Sequence, residues 1–191
     1  MRIGILGWGS LLWEGGLEFD RWHGSWEFGG PTLKLEFSRI SEKRLRALTL
    51  VIDADHGVET PVAWCISKRA TLADAIRDLC AREGTTLDNI GRVTISREAE
   101  PLKHDAPEDA IAAWARTKHL EAVIWTALKS NFQEKTRQVF SVGAVLSHLK
   151  TLAPEGKVKA AEYIWRAPEF VKTPVRTALQ TEPWFSEAGS A

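Results

Sequence analysis

The chain has 191 residues, 44% of them hydrophobic and 26% charged, enough to close one hydrophobic core and outside the composition of a disordered chain or a disulfide scaffold. Twenty-five basic residues balance twenty-five acidic ones. Without a surplus of Lys and Arg the chain lacks the charge that displaces counterions from a nucleic-acid backbone. No run of about 18 apolar residues and no basic-then-apolar leader is present, so a soluble, cytoplasmic protein with neither nucleic-acid nor membrane partners is expected. Cys65 and Cys80 have no histidine pairs near them in the sequence and read as two reduced, buried thiols rather than a zinc site or a disulfide.

In chain order, residues 2–6 are short and β-like and stop in Gly7-Trp8-Gly9-Ser10, where two glycines permit a tight or positive-φ backbone. Residues 32–37, 45–52 and 61–66 read as three further strands, with a turn at 53–57. Thr71-Leu72-Ala73-Asp74 has capping-box form and opens a helix that Gly84 can stop. A strand at 90–96 follows, then a helix from Asp105 and Pro107 toward His119, a strand at 122–128, and helical spacing from Glu134 to Leu152. Residues 153–156, Ala-Pro-Glu-Gly, read as a break before a last apolar and basic segment at 158–179. Strands come mostly first and helices mostly last, without repeats, which favours an α+β fold. A single domain is expected over 1–185, with a frayed tail at 186–191.

The segment Gly7-Trp8-Gly9-Ser10-Leu11-Leu12 follows a strand as the dinucleotide fingerprint G-x-G-x-x-G does. Leu12 stands in place of the third glycine, and Gly15-Gly16 interrupts the helix that should follow, so the motif lacks its context and no cofactor is expected.

A second likeness accounts for more residues. Ile5-Leu6-Gly7-Trp8-Gly9-Ser10-Leu11-Leu12-Trp13 resembles the strand-plus-loop signature of the gamma-glutamylcyclotransferase superfamily, especially its ChaC-like branch: an aromatic, Gly-Ser-Leu, an apolar residue, then Trp. Trp8 stands where Tyr is usual. Leu79-Cys80-Ala81-Arg82-Glu83 resembles the branch's second signature, an apolar helix ending in Arg-Glu. Residues 33–66 loosely resemble its middle strands, although Lys43-Arg44-Leu45-Arg46 replaces an Arg-Gly-Thr-Pro-like stretch. The likeness covers about the first half of the chain. It implies a mixed, partly closed, small barrel-like sheet with flanking helices, and a γ-glutamyl amine or peptide as small-molecule substrate. That substrate would cyclise to 5-oxoproline with release of the amine. Glu83 would be the general acid/base, Trp8, Gly9, Ser10 and Leu11 would bind substrate, and neither metal nor cofactor would be needed.

Helix geometry gives Glu83 a claim of its own. It lies eleven residues after Leu72, about three turns on, and so shares a face with Leu72, Ala75, Ile76, Leu79 and Cys80. Burial there and the negative end of the helix dipole would raise its pKa toward the operating pH; the plainer reading pairs it with Arg77 or Arg82. The loop amides at Gly9, Ser10 and Leu11 can face an anion, as nests do, and the plainer reading is a strand-ending turn. Ser10, Ser38 and Ser41 lack a Gly-x-Ser-x-Gly elbow, and His23, His56, His104, His119 and His148 lie in no motif that names a base. Arg39, Arg44 and Arg46 read as a solvated strand edge, and Trp22, Trp26, Trp64, Trp114, Trp125 and Trp165 as core and wall. The competing functional class is a noncatalytic member of the fold that binds a small carboxylate or a protein terminus.

Overall fold

A computed structural model describes residues 1–95 and 107–188; the expected strand end Ser96, the expected helix start Asp105, His104 and residues 189–191 of the expected tail lie outside them. The described residues gather into two compact units, each assembled from two separate stretches of chain.

The first unit comprises Met1–Leu33 and Pro61–Leu128. Its sheet has the order β5-β1-β7-β6. β1 (Ile3–Gly7) is antiparallel to β5 (Ala63–Ile66) and parallel to β7 (Ala122–Thr126), and β6 (Ile90–Thr94) runs antiparallel to β7. Every residue of β1 is buried, which explains why its sequence is a continuous apolar run rather than an alternation. On the edge strand β6, buried and exposed positions differ, as a half-covered strand requires.

Three helices accompany this sheet: α1 (Leu17–Arg21), α2 (Leu72–Glu83) and α3 (Pro107–Thr117). The Thr71 hydroxyl accepts the Asp74 amide at 3.2 Å to begin α2, and Gly84 closes it with φ +58°, the start and stop expected from sequence. Ala75, Ile76 and Leu79 turn inward from α2 to meet Ile3, Ile5, Cys65 and Ile124 in one apolar cluster. At roughly 1.5–3 kcal/mol per buried aliphatic side chain, that cluster is what fixes α2 in place. On its other side Arg69 forks onto Asp78 at 2.6 and 2.9 Å, with its guanidinium 3.6 Å from the Trp22 ring centre.

The second unit comprises Lys34–Thr60 and Lys129–Ala191. β2 (Thr32–Ser41), which begins in the first unit, lies between β3 (Ala47–Ile52) and β4 (Val58–Pro61). The β2–β3 register shifts between Glu36 and Arg39, and this bulge places Glu36, Phe37 and Ser38 all in the interior. α4 (Phe132–Thr136), α5 (Val142–Thr151), α6 (Pro154–Arg166), α7 (Pro174–Leu179) and α8 (Pro183–Ala188) follow, with α6 laid on β3.

The architecture is α+β. In place of one partly closed, barrel-like sheet there are two open sheets, of four and three strands. The run at 61–66 is divided: Pro61 ends β4 in one sheet and Ala63 starts β5 in the other. The expected break at 153–156 is instead the first turn of α6, with Pro154 at its head, where a missing N–H costs nothing. The helical run from Glu134 is two helices, separated after Arg137, which has φ +62°. Among the described residues no helix is long and apolar enough to cross a membrane.

Candidate functional site

The loop after β1 tightens at once into a single 3-10 turn, Ser10–Leu12. The Leu12 amide donates to the Gly9 carbonyl at 2.9 Å, and the Glu14 amide to the Ser10 carbonyl at 2.7 Å. A turn of this kind leaves its leading N–H groups without intrahelical partners. Accordingly, the amides of Gly9, Ser10 and Leu11 donate to no acceptor among the described residues.

Of the tight or positive-φ backbone that its glycines permit, the loop takes the tight turn. Gly9 has φ −124°, and the positive-φ glycines of the described residues are Gly29 and Gly84. Gly7 is required for space instead: a Cβ there would sit 2.9 Å from the Trp26 ring. Trp8 is 6% exposed and belongs to the interior. The Leu11 side chain packs on the apolar cluster beneath α2. Of the four loop residues expected at the substrate, Gly9, Ser10 and Leu11 thus offer backbone donors, and Trp8 offers bulk.

Glu83 is the last residue of α2, and its side chain is 17% exposed. The apolar residues of the same helix hold this end against the core, as the spacing from Leu72 predicts. Its neighbour Arg82, 11% exposed, links the carboxylate to the loop. Arg82 Nη1 donates to Glu83 Oε1 at 3.2 Å, while Nη2 donates to the Ser10 carbonyl at 3.1 Å and the Glu14 carbonyl at 2.8 Å. Two segments 72 residues apart in sequence therefore meet through one guanidinium. Arg77, the other expected partner of Glu83, turns instead to Asp74. Sequence reasoning had Arg82 as a partner of Glu83 but not as a clamp on the loop, because a donor to backbone carbonyls has no sequence motif.

The second unit gathers ionisable groups that sequence reasoning passed over. Glu36 is fully buried: Oε1 accepts the Phe37 amide at 2.7 Å and Oε2 the Val175 amide at 3.4 Å. Burial pushes its pKa up; the bonds from Thr173, Phe37 and Val175 offset this only in part, and Asp53 adds to the rise. Asp53 Oδ1 accepts the Asp55 and His56 amides at 3.1 and 3.0 Å and approaches His56 Nδ1 at 3.3 Å. Burial opposes the Asp53 charge, but the Ser38 hydroxyl, the His56 amide and imidazole, and the Asp55 amide outweigh it and hold the carboxyl below its usual range. Oδ2 of Asp53 and Oγ of Ser38 nonetheless make no hydrogen bond of good geometry.

Asp53, Asp55 and His56 place potential ligand atoms within 4.8 Å of one another. They border an open cavity of about 220 Å³ that Phe132 and Phe140 also line. The sequence signal was the string Asp53-Ala54-Asp55-His56, read above as a turn, and the Asp53 bonds are indeed those of a turn. The Arg44 guanidinium stacks over Tyr163, 4.7 Å from its centre, and Arg39 donates to the Lys129 carbonyl at 2.7 Å. Cys65 is buried and Cys80 half-buried, both as free thiols.

Compared with known proteins, the chain matches no family model, no curated protein and no solved structure.

Proposed function

We propose that the chain is a gamma-glutamylcyclotransferase-like enzyme of the cytoplasm, acting on a small γ-glutamyl amine or peptide at the end of α2. One observation carries this reading: the Glu83 carboxylate and the loop whose Gly9, Ser10 and Leu11 amides have no acceptor among the described residues are joined through Arg82. A residue of each signature in the resemblance is thereby linked, by contacts that owe nothing to it.

The reaction asks little of the protein. The substrate's own α-amino group attacks its side-chain amide carbon; a C–N bond forms to close the ring, and the C–N bond to the departing amine breaks. Glu83 takes a proton from the attacking nitrogen and returns one to the leaving nitrogen. The loop amides receive the oxyanion that develops on the amide oxygen. Holding the chain in a ring-closing pose supplies the rest. No metal or cofactor enters these steps.

The test is release of 5-oxoproline from a panel of γ-glutamyl amines and peptides, with and without a chelator. The expected result is product from at least one member at a rate the chelator leaves unchanged. Absence of product across the panel would transfer the site to the competing reading, a noncatalytic module for a small carboxylate.

A further inference from the structure

The proposed reaction leaves one well-defined group unused. Arg82 is 11% exposed on its side chain, yet among the described residues it pairs with one carboxylate, at 3.2 Å through a single nitrogen. Its other terminal nitrogen is committed to two main-chain carbonyls of the loop. The loop is shaped around this side chain: a Cβ on Gly16 would lie 3.1 Å from Arg82 Cδ. An arginine kept only to neutralise Glu83 would need neither the two carbonyls nor the closely fitted glycine.

We propose that Arg82 is a positioning residue, whose guanidinium fixes the Glu83 carboxylate and the Ser10–Glu14 segment in one frame. The inference rests on the reading that Glu83 is the acid/base. Three consequences follow from the geometry. One planar guanidinium spans the carboxylate and the two carbonyls, an arrangement that a lysine cannot reproduce, because an ammonium is a point charge on a flexible stem. The Ser10 carbonyl, which also accepts the Glu14 amide, is pinned in orientation, and with it the peptide unit that carries the Leu11 N–H. The positive charge also counters the negative end of α2 beside the carboxylate.

The experiment compares the full chain with R82Q and R82K. The Glu83 carboxyl is followed by carbon-13 NMR across pH, its resonance identified from its loss in E83Q, and 5-oxoproline release is measured over the same range. In R82Q the Glu83 midpoint is expected to rise by about one unit. The acid limb of turnover should rise with it, and kcat should fall about tenfold or more with a smaller change in KM. R82K keeps the charge without the fork and should fall between the two. A Glu83 midpoint that stays put in both variants overturns the inference; if R82Q does not fold, an unmoved midpoint and unchanged turnover in R82K do the same. A midpoint that moves in a protein that never releases 5-oxoproline refutes the proposed activity and leaves the hold of Arg82 on Glu83 intact. Turnover without any movement refutes the hold and leaves the activity.

Discussion

The two units treat charge differently. In the second, the buried Glu36, Arg176 and His148 are each met by main chain. Glu36 takes amides of β2 and of the first turn of α7. Arg176 gives its guanidinium to the carbonyls of Pro168, Val171 and Ala167 at 2.6, 2.9 and 2.9 Å. His148 donates Nε2–H to the Arg46 carbonyl at 2.9 Å, on a turn where Leu45 and Arg46 both have positive φ, and burial holds its pKa below the usual value. These are places where the chain changes direction and leaves polar groups that burial would otherwise strand. In the first unit the Arg82 and Glu83 pair instead spans two distant segments, is incompletely buried, and stands beside three amides with no acceptor among the described residues. Charge that completes a fold ends in bonds to the backbone. Under the proposed reading, the charge beside those amides faces the substrate.

That contrast can be broken by substitution. The largest expected loss of stability is in the second unit. Arg176→Met keeps the stem but abandons four main-chain carbonyls, at a cost of about 3 kcal/mol, or roughly 10 °C in the melting temperature; turnover per folded molecule should be unaffected. A stable Arg176→Met would remove the structural half of the comparison. Glu36→Gln tests the same unit through pH. Because the folded pKa of Glu36 is raised, the folded state keeps the proton longer than the unfolded chain does. Stability is therefore lost as pH rises from the unfolded value through the folded one. Chemical denaturation at several pH values should show the advantage of Glu36→Gln over the parent growing with pH through this window, and a constant difference would contradict the buried, proton-retaining assignment. The smallest effect is expected in the first unit's own structural cap: Thr71→Ala should cost about 1 kcal/mol, near 3 °C, with kcat unchanged. A large loss of kcat there would mean that the helix end is poorly fixed by the core.

Much of the first unit was legible. Thr71, Asp74 and Gly84 announced both ends of α2, and the spacing from Leu72 to Glu83 gave the face on which the carboxylate lies. These are local signals, and local geometry obeys them. The second unit hid its polar interior because the period of two that exposes Lys34 fails at the bulge, where Glu36, Phe37 and Ser38 are all buried. Pro154 was misleading for a different reason: the residue that cannot continue a helix is also one that readily begins one, and sequence alone does not say which. The division of residues 61–66 between two sheets depends on strand partners far along the chain, which no window of six residues contains. Arg82 was visible as an ion-pair partner, but the carbonyls it holds became visible only once β1 and α2 were packed together.

The central claim is that Glu83 acts and does not merely support, and Glu83→Gln tests it most directly when product release and melting temperature are measured on the same preparation. Glutamine keeps the size and the acceptor for Arg82 but cannot take a proton at neutral pH. The account predicts that 5-oxoproline release falls by about 10² to 10⁴ while the melting temperature holds or rises slightly, since a partly buried charge has been removed. A destabilised Glu83→Gln with near-normal turnover would contradict it and make the Arg82 and Glu83 pair one more of the protein's structural charges.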